Sequence, residues 1–267
     1  MRPRLERSVG RHFFGSVAET YDAVRAGHPD EVYEVLRERC GIGAGSRILE
    51  IGPGTGQATR RLLQLGPARL VAIEPDPALA EFLRAAVGER VEIRETTLDD
   101  ADLEPDEYDL AAAASAFHWI EEDRGLAKLR DAVRPGAWVA LWWTSYGDEL
   151  APDRFSRALD PLFEEIPHGL SGPSEGRPPF ARDPERRLAA LAHAGFGSLR
   201  HDEIRWTHEW DAQGIRGLYS TFSPIGVLEP EQREAFLDAV AGIAGDEFGG
   251  RVERRLVTSL YTGRHPG

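Results

Sequence analysis

Cysteine is almost absent: Cys40 is the single one in 267 residues. No internal disulfide can form and no cysteine-based metal cluster can be assembled, so Cys40 is expected as a small core residue. Basic residues are outnumbered as well. Thirty-two of them stand against 45 acidic ones, for a formal net charge of −13 and a pI near 5.1. Nucleic-acid binding needs clustered Lys and Arg to neutralise phosphates, and this balance argues against such a partner. Long apolar runs are missing too. The longest, residues 110–120, contains Ser115 and His118 and is too short to span a bilayer. The first ten residues are arginine-rich with no apolar segment, so a cytoplasmic protein without a membrane partner is expected. There is no internal repeat and no low-complexity tract. What remains, 41% hydrophobic and 29% charged residues, suits one main domain with room for a cap.

The chain is organised around residues 48–56, Ile-Leu-Glu-Ile-Gly-Pro-Gly-Thr-Gly. Ile48, Leu49 and Ile51 suit a buried strand, and Gly52, Gly54 and Gly56 remove Cβ atoms where the backbone must turn sharply. A helix over residues 57–65 would then point its unpaired amides and positive dipole end at a ligand lying over the turn. A dinucleotide fingerprint requires glycine at the first, third and sixth positions. Counting from Gly52, the third is Gly54 but the sixth is Gln57. An NAD-linked oxidoreductase is thereby disfavoured.

Periodicity and turn residues place further elements in order. Residues 11–40 read as helical material, broken by His28-Pro29-Asp30. A second strand over residues 70–73 ends in Glu74-Pro75-Asp76-Pro77, about twenty residues past the glycine turn, where a ribose-binding acid belongs. Glu74 can accept from two ribose hydroxyls, while Asp76, followed by Pro77, reads as the N-cap of a helix over residues 77–87. Residues 91–94 form a third strand and Thr96 to Asp100 the loop after it. A fourth strand opens at Tyr108 and ends in Ser115-Ala116-Phe117-His118-Trp119, in the position where α/β sheets place their chemistry. A helix over 122–133 is expected to stop at the turn Arg134-Pro135-Gly136, before a strand over 137–144. An inserted helix over 153–166 precedes residues 167–184, where eight of eighteen are Pro or Gly, the composition of a lid loop. Helices over 185–194, 215–222 and 230–243 and strands over 199–210 and 251–264 complete the pattern.

Glu50 followed by alternate glycines resembles the first motif of class I S-adenosylmethionine-dependent methyltransferases. Ala-Phe-His-Trp after the fourth strand, and Tyr21, Arg25 and His28-Pro29 near the N-terminus, resemble a bacterial type 11 subgroup acting on small molecules. The resemblance implies an α/β, Rossmann-like, doubly wound seven-stranded sheet whose terminal strand is antiparallel, with a helical N-terminal arm and a helical cap insertion. The organisation expected is an arm over residues 1–45, a cofactor core over 46–144, an inserted helix and lid over 145–194, and a closing region over 195–267. Glu50, Gly52, Gly54, Gly56, Glu74, Pro75, Thr97, Leu98 and Ser115 would bind S-adenosylmethionine, with Asp99 near the adenine and Tyr21 and Arg25 folding over the cofactor from the arm, together with Phe13 and Phe14.

The expected activity is methyl transfer to an O, C or N atom of a small molecule, without a metal, by a monomer or homodimer. No Asn-Pro-Pro-aromatic or Asp-Pro-Pro-aromatic tetrapeptide of the kind common in amino-group methyltransferases occurs. Phe117, Trp119, Trp143 and Tyr146 are expected to line a partly aromatic acceptor site. His118 reads in two ways. A neutral imidazole beside a sulfonium can abstract a proton, or the same ring can hold Trp119 and its loop in place. A protein that binds the cofactor without transferring methyl is the alternative reading of the same motifs.

Overall fold

The chain alternates short apolar runs with amphipathic stretches, and the runs 48–51, 70–73 and 110–113 become strands buried on both faces. The computed structural model describes residues 15, 17–148, 150–164, 166 and 178–267. Strands β1 (Arg47–Ile51), β2 (Arg69–Ile73), β3 (Glu92–Arg94), β4 (Tyr108–Ala114) and β5 (Val133–Ser145) pair in parallel in the order β3-β2-β1-β4-β5. The sheet continues to β6 (Gly197–Asp211) through β7 (Arg251–Arg264), which lies antiparallel between β5 and β6. The chain moves outward from β1 to β3 and then returns to β4. A crevice therefore opens at the carboxyl ends of β1 and β4, where the winding direction reverses.

Side chains alternate across these strands into two cores. Leu49, Ile51, Val71 and Ile73 meet Leu126 and Leu129 of the helix Glu122–Ala132 on one face. Ile48, Leu70 and Ala72 meet Leu36, Leu62 and Leu83 of the helices Asp30–Glu38, Gln57–Gln64 and Pro77–Val87 on the other. The alanine-rich stretch of β4 leaves no bulk between β1 and β5, so those strands' larger side chains fill both faces. Cys40 is buried in the second core as a free thiol.

Three elements differ from expectation. Residues 134–136 do not end the helix with a separate turn; they belong to β5, which pairs Tyr108 with Val133 and then, after an irregularity, Leu110 with Trp138. β5 advances five residues there while β4 advances two, and Gly136, at φ 84°, lies within the three-residue excess. The inserted helix is shorter, Arg154–Leu159, with a 3₁₀ turn at Asp160–Phe163 where Pro161 removes a donor. The last helix is longer and runs Pro230–Phe248 up to a left-handed Gly249.

The cap has its own core. β7 pairs with β5 only from Val257 onward, so residues 251–256 and their β6 partners project beyond the sheet. On this overhang Trp210, Val252 and Leu256 pack with Phe155, Ile215, Leu218 and Val240. Arg254, 2% exposed, ties it to the insertion: its Nε donates to Asp153 (2.9 Å), Nη1 to the Tyr219 hydroxyl (2.7 Å) and Nη2 to the Tyr146 carbonyl (3.1 Å). The arm helix Ala18–Val24 docks on the helix Ala212–Ser220, with the Trp210 indole N–H donating to the Val24 carbonyl at 2.8 Å. Phe13, Phe14 and residues 167–177 of the expected lid lie outside the described residues. Among the described residues no helix is long and apolar enough to cross a membrane, and no group of three or more His, Cys, Asp or Glu is placed to hold a metal ion.

Candidate active site

A cavity of about 470 Å³ occupies the crevice, within the range of small-molecule sites. Of the sequence-predicted residues, Gly52, Gly54, Glu74, Pro75, Thr97, Leu98 and Ser115 line it from the strand ends. Tyr21 and Arg25 line it from the arm, and His118, Trp119, Trp143 and Tyr146 from the far side.

The three glycines of the turn have positive φ (63°, 57° and 86°) but serve different ends. A Cβ on Gly52 would lie 2.5 Å from that of Ala116, and one on Gly56 would lie 2.5 Å from Leu83 Cδ1. Those two let the turn pack against its neighbours. A Cβ on Gly54 would meet nothing within 4 Å, because it would point into open space. Gly54 is the position where a ligand can approach the main chain.

Glu74, 4% exposed, accepts from the Gly54 amide at 3.1 Å through Oε2 and from the Asp76 amide at 3.0 Å through Oε1. A carboxylate has about four acceptor positions, so ribose hydroxyls can be held in addition. Asp76 caps its helix, accepting from Ala78 and Leu79 amides. Ser115 has φ 54°, rare for a residue with a Cβ, and its amide donates to the Trp142 carbonyl at 2.7 Å, turning the chain out of β4 at the cavity wall.

Four expected contacts fall elsewhere. Gly56 is outside the lining, for the packing reason given. Phe117 is 1% exposed and turned into the core against Gly125, because the 3₁₀ turn Phe117–Trp119 sends successive side chains in different directions. Asp99 is exposed and pairs with Arg124 at 3.3 Å instead of facing the cavity. Glu50 is fully buried beneath the turn and outside the lining. Neither of its oxygens has a hydrogen-bond partner, and Thr59 lies beside it without a bond of normal geometry although its hydroxyl favours the charged form. Burial, with the nearby Glu74 carboxylate adding to it, pushes its pKa up to about 7.

The far end is built around the last residues of β5, whose side chains alternate. On one side the Trp143 indole N–H donates to His118 Nδ1 at 3.1 Å. An indole nitrogen can only donate, so Nδ1 is unprotonated and, in the neutral ring, the proton sits on Nε2. His118 is thus held in the tautomer that cannot accept a proton at Nε2, and its accepting atom is occupied by Trp143. Of the two readings of His118, this contact matches the oriented ring, which lies 5.0 Å from Trp119 and 6.3 Å from Phe180. On the other side Thr144 bonds His28 and Tyr146 lies under Arg25.

Sequence reasoning passed over several lining residues. His28 was read as a helix breaker and as part of the arm's resemblance, without a role of its own; its tertiary partner Thr144, 116 residues away, gives it a place in the cavity. Gln57, weighed only as the wrong residue for a dinucleotide turn, donates to the Asp22 and Arg25 carbonyls and fastens the arm to the helix that opens the site. Phe222, Ser223 and Pro224 come from the cap. No local pattern marks such residues.

The methyltransferase-domain family model matches residues 48–136. An uncharacterized methyltransferase of Geobacillus kaustophilus is 30% identical over 168 residues, 57% of this chain and 74% of that one. An uncharacterized methyltransferase of Mycobacterium tuberculosis is 26% identical over 227 residues, 85% of this chain and 83% of its own. Among solved structures, a putative type II methyltransferase from Anaeromyxobacter dehalogenans superposes with a TM-score of 0.60 at 21% identity, covering 100% of this chain and 99% of that one. A Haemonchus contortus phosphoethanolamine N-methyltransferase bound to S-adenosylhomocysteine superposes at 0.58 and 13% identity, over 97% of this chain and 60% of that one. The chain belongs to the class I S-adenosylmethionine-dependent methyltransferases, and S-adenosylmethionine is its cofactor. The residues present fit that group: open space over Gly54, a carboxylate at the end of β2 and apolar walls from Ile73, Leu79 and Leu98.

Proposed function

We propose that the chain transfers a methyl group to a small-molecule acceptor bound in the same cavity as the cofactor. The observation that carries this reading is the continuity of the cavity. It runs from Glu74 at the end of β2 to Trp119, Trp143 and Tyr146 at the far end, enclosed by the arm and the cap. When bound, S-adenosylmethionine supplies a methyl carbon already activated by a sulfonium. Glu74 would hold the ribose, Thr97 and Leu98 the adenine, and the Gly54 turn the methionine portion, with Tyr21 and Arg25 closing from the arm. Trp119, Trp143, Tyr146 and Phe222 would exclude water and set the acceptor in line, and orientation of this kind supplies much of a transfer barrier's reduction. His118, with Nδ1 engaged by Trp143, would position the acceptor through its ring and would take no proton.

Calorimetry with S-adenosylhomocysteine and transfer of a labelled methyl group to a panel of small acceptors test the reading. Tight cofactor-product binding with labelled product supports it. Binding with no transfer to any acceptor favours a protein that uses the cofactor without methylation, and absence of binding overturns both.

A further inference from the structure

His28 and Arg25 form a second constellation, at the end of the cavity away from Glu74. Trp206 Nε1 donates to Thr258 Oγ1 at 3.0 Å, and Thr258 Oγ1 lies 2.9 Å from Thr144 Oγ1. Thr144 Oγ1 in turn lies 3.1 Å from His28 Nδ1 and 3.5 Å from the Gly27 carbonyl. The indole can only donate, so Thr258 accepts from it. Running the hydroxyl protons on from Thr258 to Thr144, and from Thr144 to His28 Nδ1 as the nearer of its two contacts, gives each of these groups a partner and leaves the His28 proton on Nε2, which has no hydrogen-bond partner among the described residues. Burial pushes its pKa down to about 4, so it faces the cavity as a neutral donor.

Arg25 stands beside it on the same face of β5. Its Nε and Nη2 donate to Thr221 Oγ1 (2.9 Å) and O (3.1 Å), and the guanidinium sits 4.7 to 4.8 Å from the rings of Tyr21, Tyr146 and Phe222. Among the described residues its hydrogen bonds go to Thr221 and no carboxylate pairs with it, Asp22 of the arm helix being paired with Arg60. The described lining holds two carboxylates, Glu74 and Asp76, both at β2. Three strand spacings separate β2 from β5 in the order β2-β1-β4-β5, about 14 Å. The cavity is thus divided: acids at the ribose end, a cation and a fixed N–H donor at the other.

We infer that the acceptor is an organic anion, a carboxylate or acidic enolate on an aromatic or apolar body, received by the His28 N–H with Arg25 supplying the positive field. The inference rests on the methyltransferase reading of the cavity. An amine acceptor would enter as a cation toward Arg25 and the sulfonium with no described carboxylate to compensate it, at a cost set by the low local dielectric. An anion needs no base. Its charged atom forms a bond to the methyl carbon while the carbon–sulfur bond breaks, the electron pair stays on sulfur as a neutral thioether, and no proton moves. That accords with His118 being held by Trp143.

The test uses the protein saturated with S-adenosylhomocysteine and three matched probes, cinnamate, cinnamamide and cinnamylamine, titrated by calorimetry. Cinnamate is expected to bind at least about tenfold tighter than cinnamylamine, reflecting one or two charge-assisted hydrogen bonds. His28→Phe, which keeps a ring against Trp142, should weaken cinnamate about tenfold, and His28→Gln, which keeps an N–H, should restore most of it. Neither should move S-adenosylhomocysteine affinity by more than about twofold. Arg25→Met separates the two sources of a carboxylate. If it weakens S-adenosylhomocysteine but leaves 5′-methylthioadenosine, which lacks the amino-acid portion, unchanged, Arg25 holds the cofactor's own carboxylate; His28 then carries the acceptor alone, and the cinnamate preference must still fall in His28→Phe. Normal S-adenosylhomocysteine binding with equal affinity for the three probes, or with cinnamate unaffected in His28→Phe, overturns the acceptor assignment alone. Failure to bind S-adenosylhomocysteine overturns the reading beneath it.

Discussion

The two ends of the cavity are made in different ways. The end proposed for the cofactor comes mainly from one continuous run, residues 47–98, in which strand, turn and helix repeat twice, with Ser115, Tyr21 and Arg25 added from outside it. The far end is assembled from β5, the arm, the 3₁₀ turn after β4 and the cap, and its hydrogen bonds span 25 to 196 residues. The first end is specified by main-chain shape and one carboxylate, so it suits a fixed ligand. The second is specified by side chains with long-range partners, which is where members of one fold can differ in acceptor.

That contrast can be broken first at Gly54. Gly54→Val puts a branched side chain into the space over the turn and demands a left-handed φ that Val resists, so S-adenosylhomocysteine binding should fall by about 100-fold or more in calorimetry. A far smaller loss would mean the ligand does not approach the turn. At the other end, Arg254→Met leaves Asp153 buried without its partner and should cost about 3 to 5 kcal/mol in urea denaturation. Retained stability would show that the cap core holds the overhang without the ion pair. Glu74→Ala removes two charge-assisted bonds to ribose, and cofactor affinity should drop by roughly 2 to 4 kcal/mol with folding intact.

Glu50 tests whether the floor of the cofactor end is strained. Its folded pKa is raised from 4.5 to about 7, so the folded state binds the proton more tightly. Stability from this group is present below about pH 4.5 and is lost progressively as pH rises toward 7. Glu50→Gln should therefore stabilise the cofactor-free protein by roughly 1 to 3 kcal/mol at pH 8 and by little at pH 4.5. A pH-independent difference in melts would remove the burial argument. The smallest effect is expected at His118: His118→Gln should keep turnover within about tenfold and leave the acidic limb of the pH profile in place, below what loss of a general base produces. A loss of 100-fold or more, with the limb abolished, would restore it as a base.

Local chemistry explains why some of this was legible from residues alone. Proline after Asp76 marks an N-cap, and an apolar run that stops at glycine marks a strand's end, so β1 and the helix Pro77–Val87 follow from short-range sterics and hydrogen bonding. Arg134-Pro135-Gly136 misled for the opposite reason. Those residues favour a turn in isolation, and pairing of Val133 with Tyr108 overrides them.

By itself the sequence determined the parallel core, the cofactor turn and the acid at the end of β2, because each depends on backbone conformation within a few residues. Only the tertiary structure decided that Glu50 and Phe117 are buried away from the cavity, that Trp143 donates to His118, and that Trp206, Thr258, Thr144 and His28 join in one chain of polar contacts. Those outcomes depend on which distant donor reaches which ring nitrogen, and hydrogen bonding over a hundred residues of separation leaves no periodicity or motif in the chain.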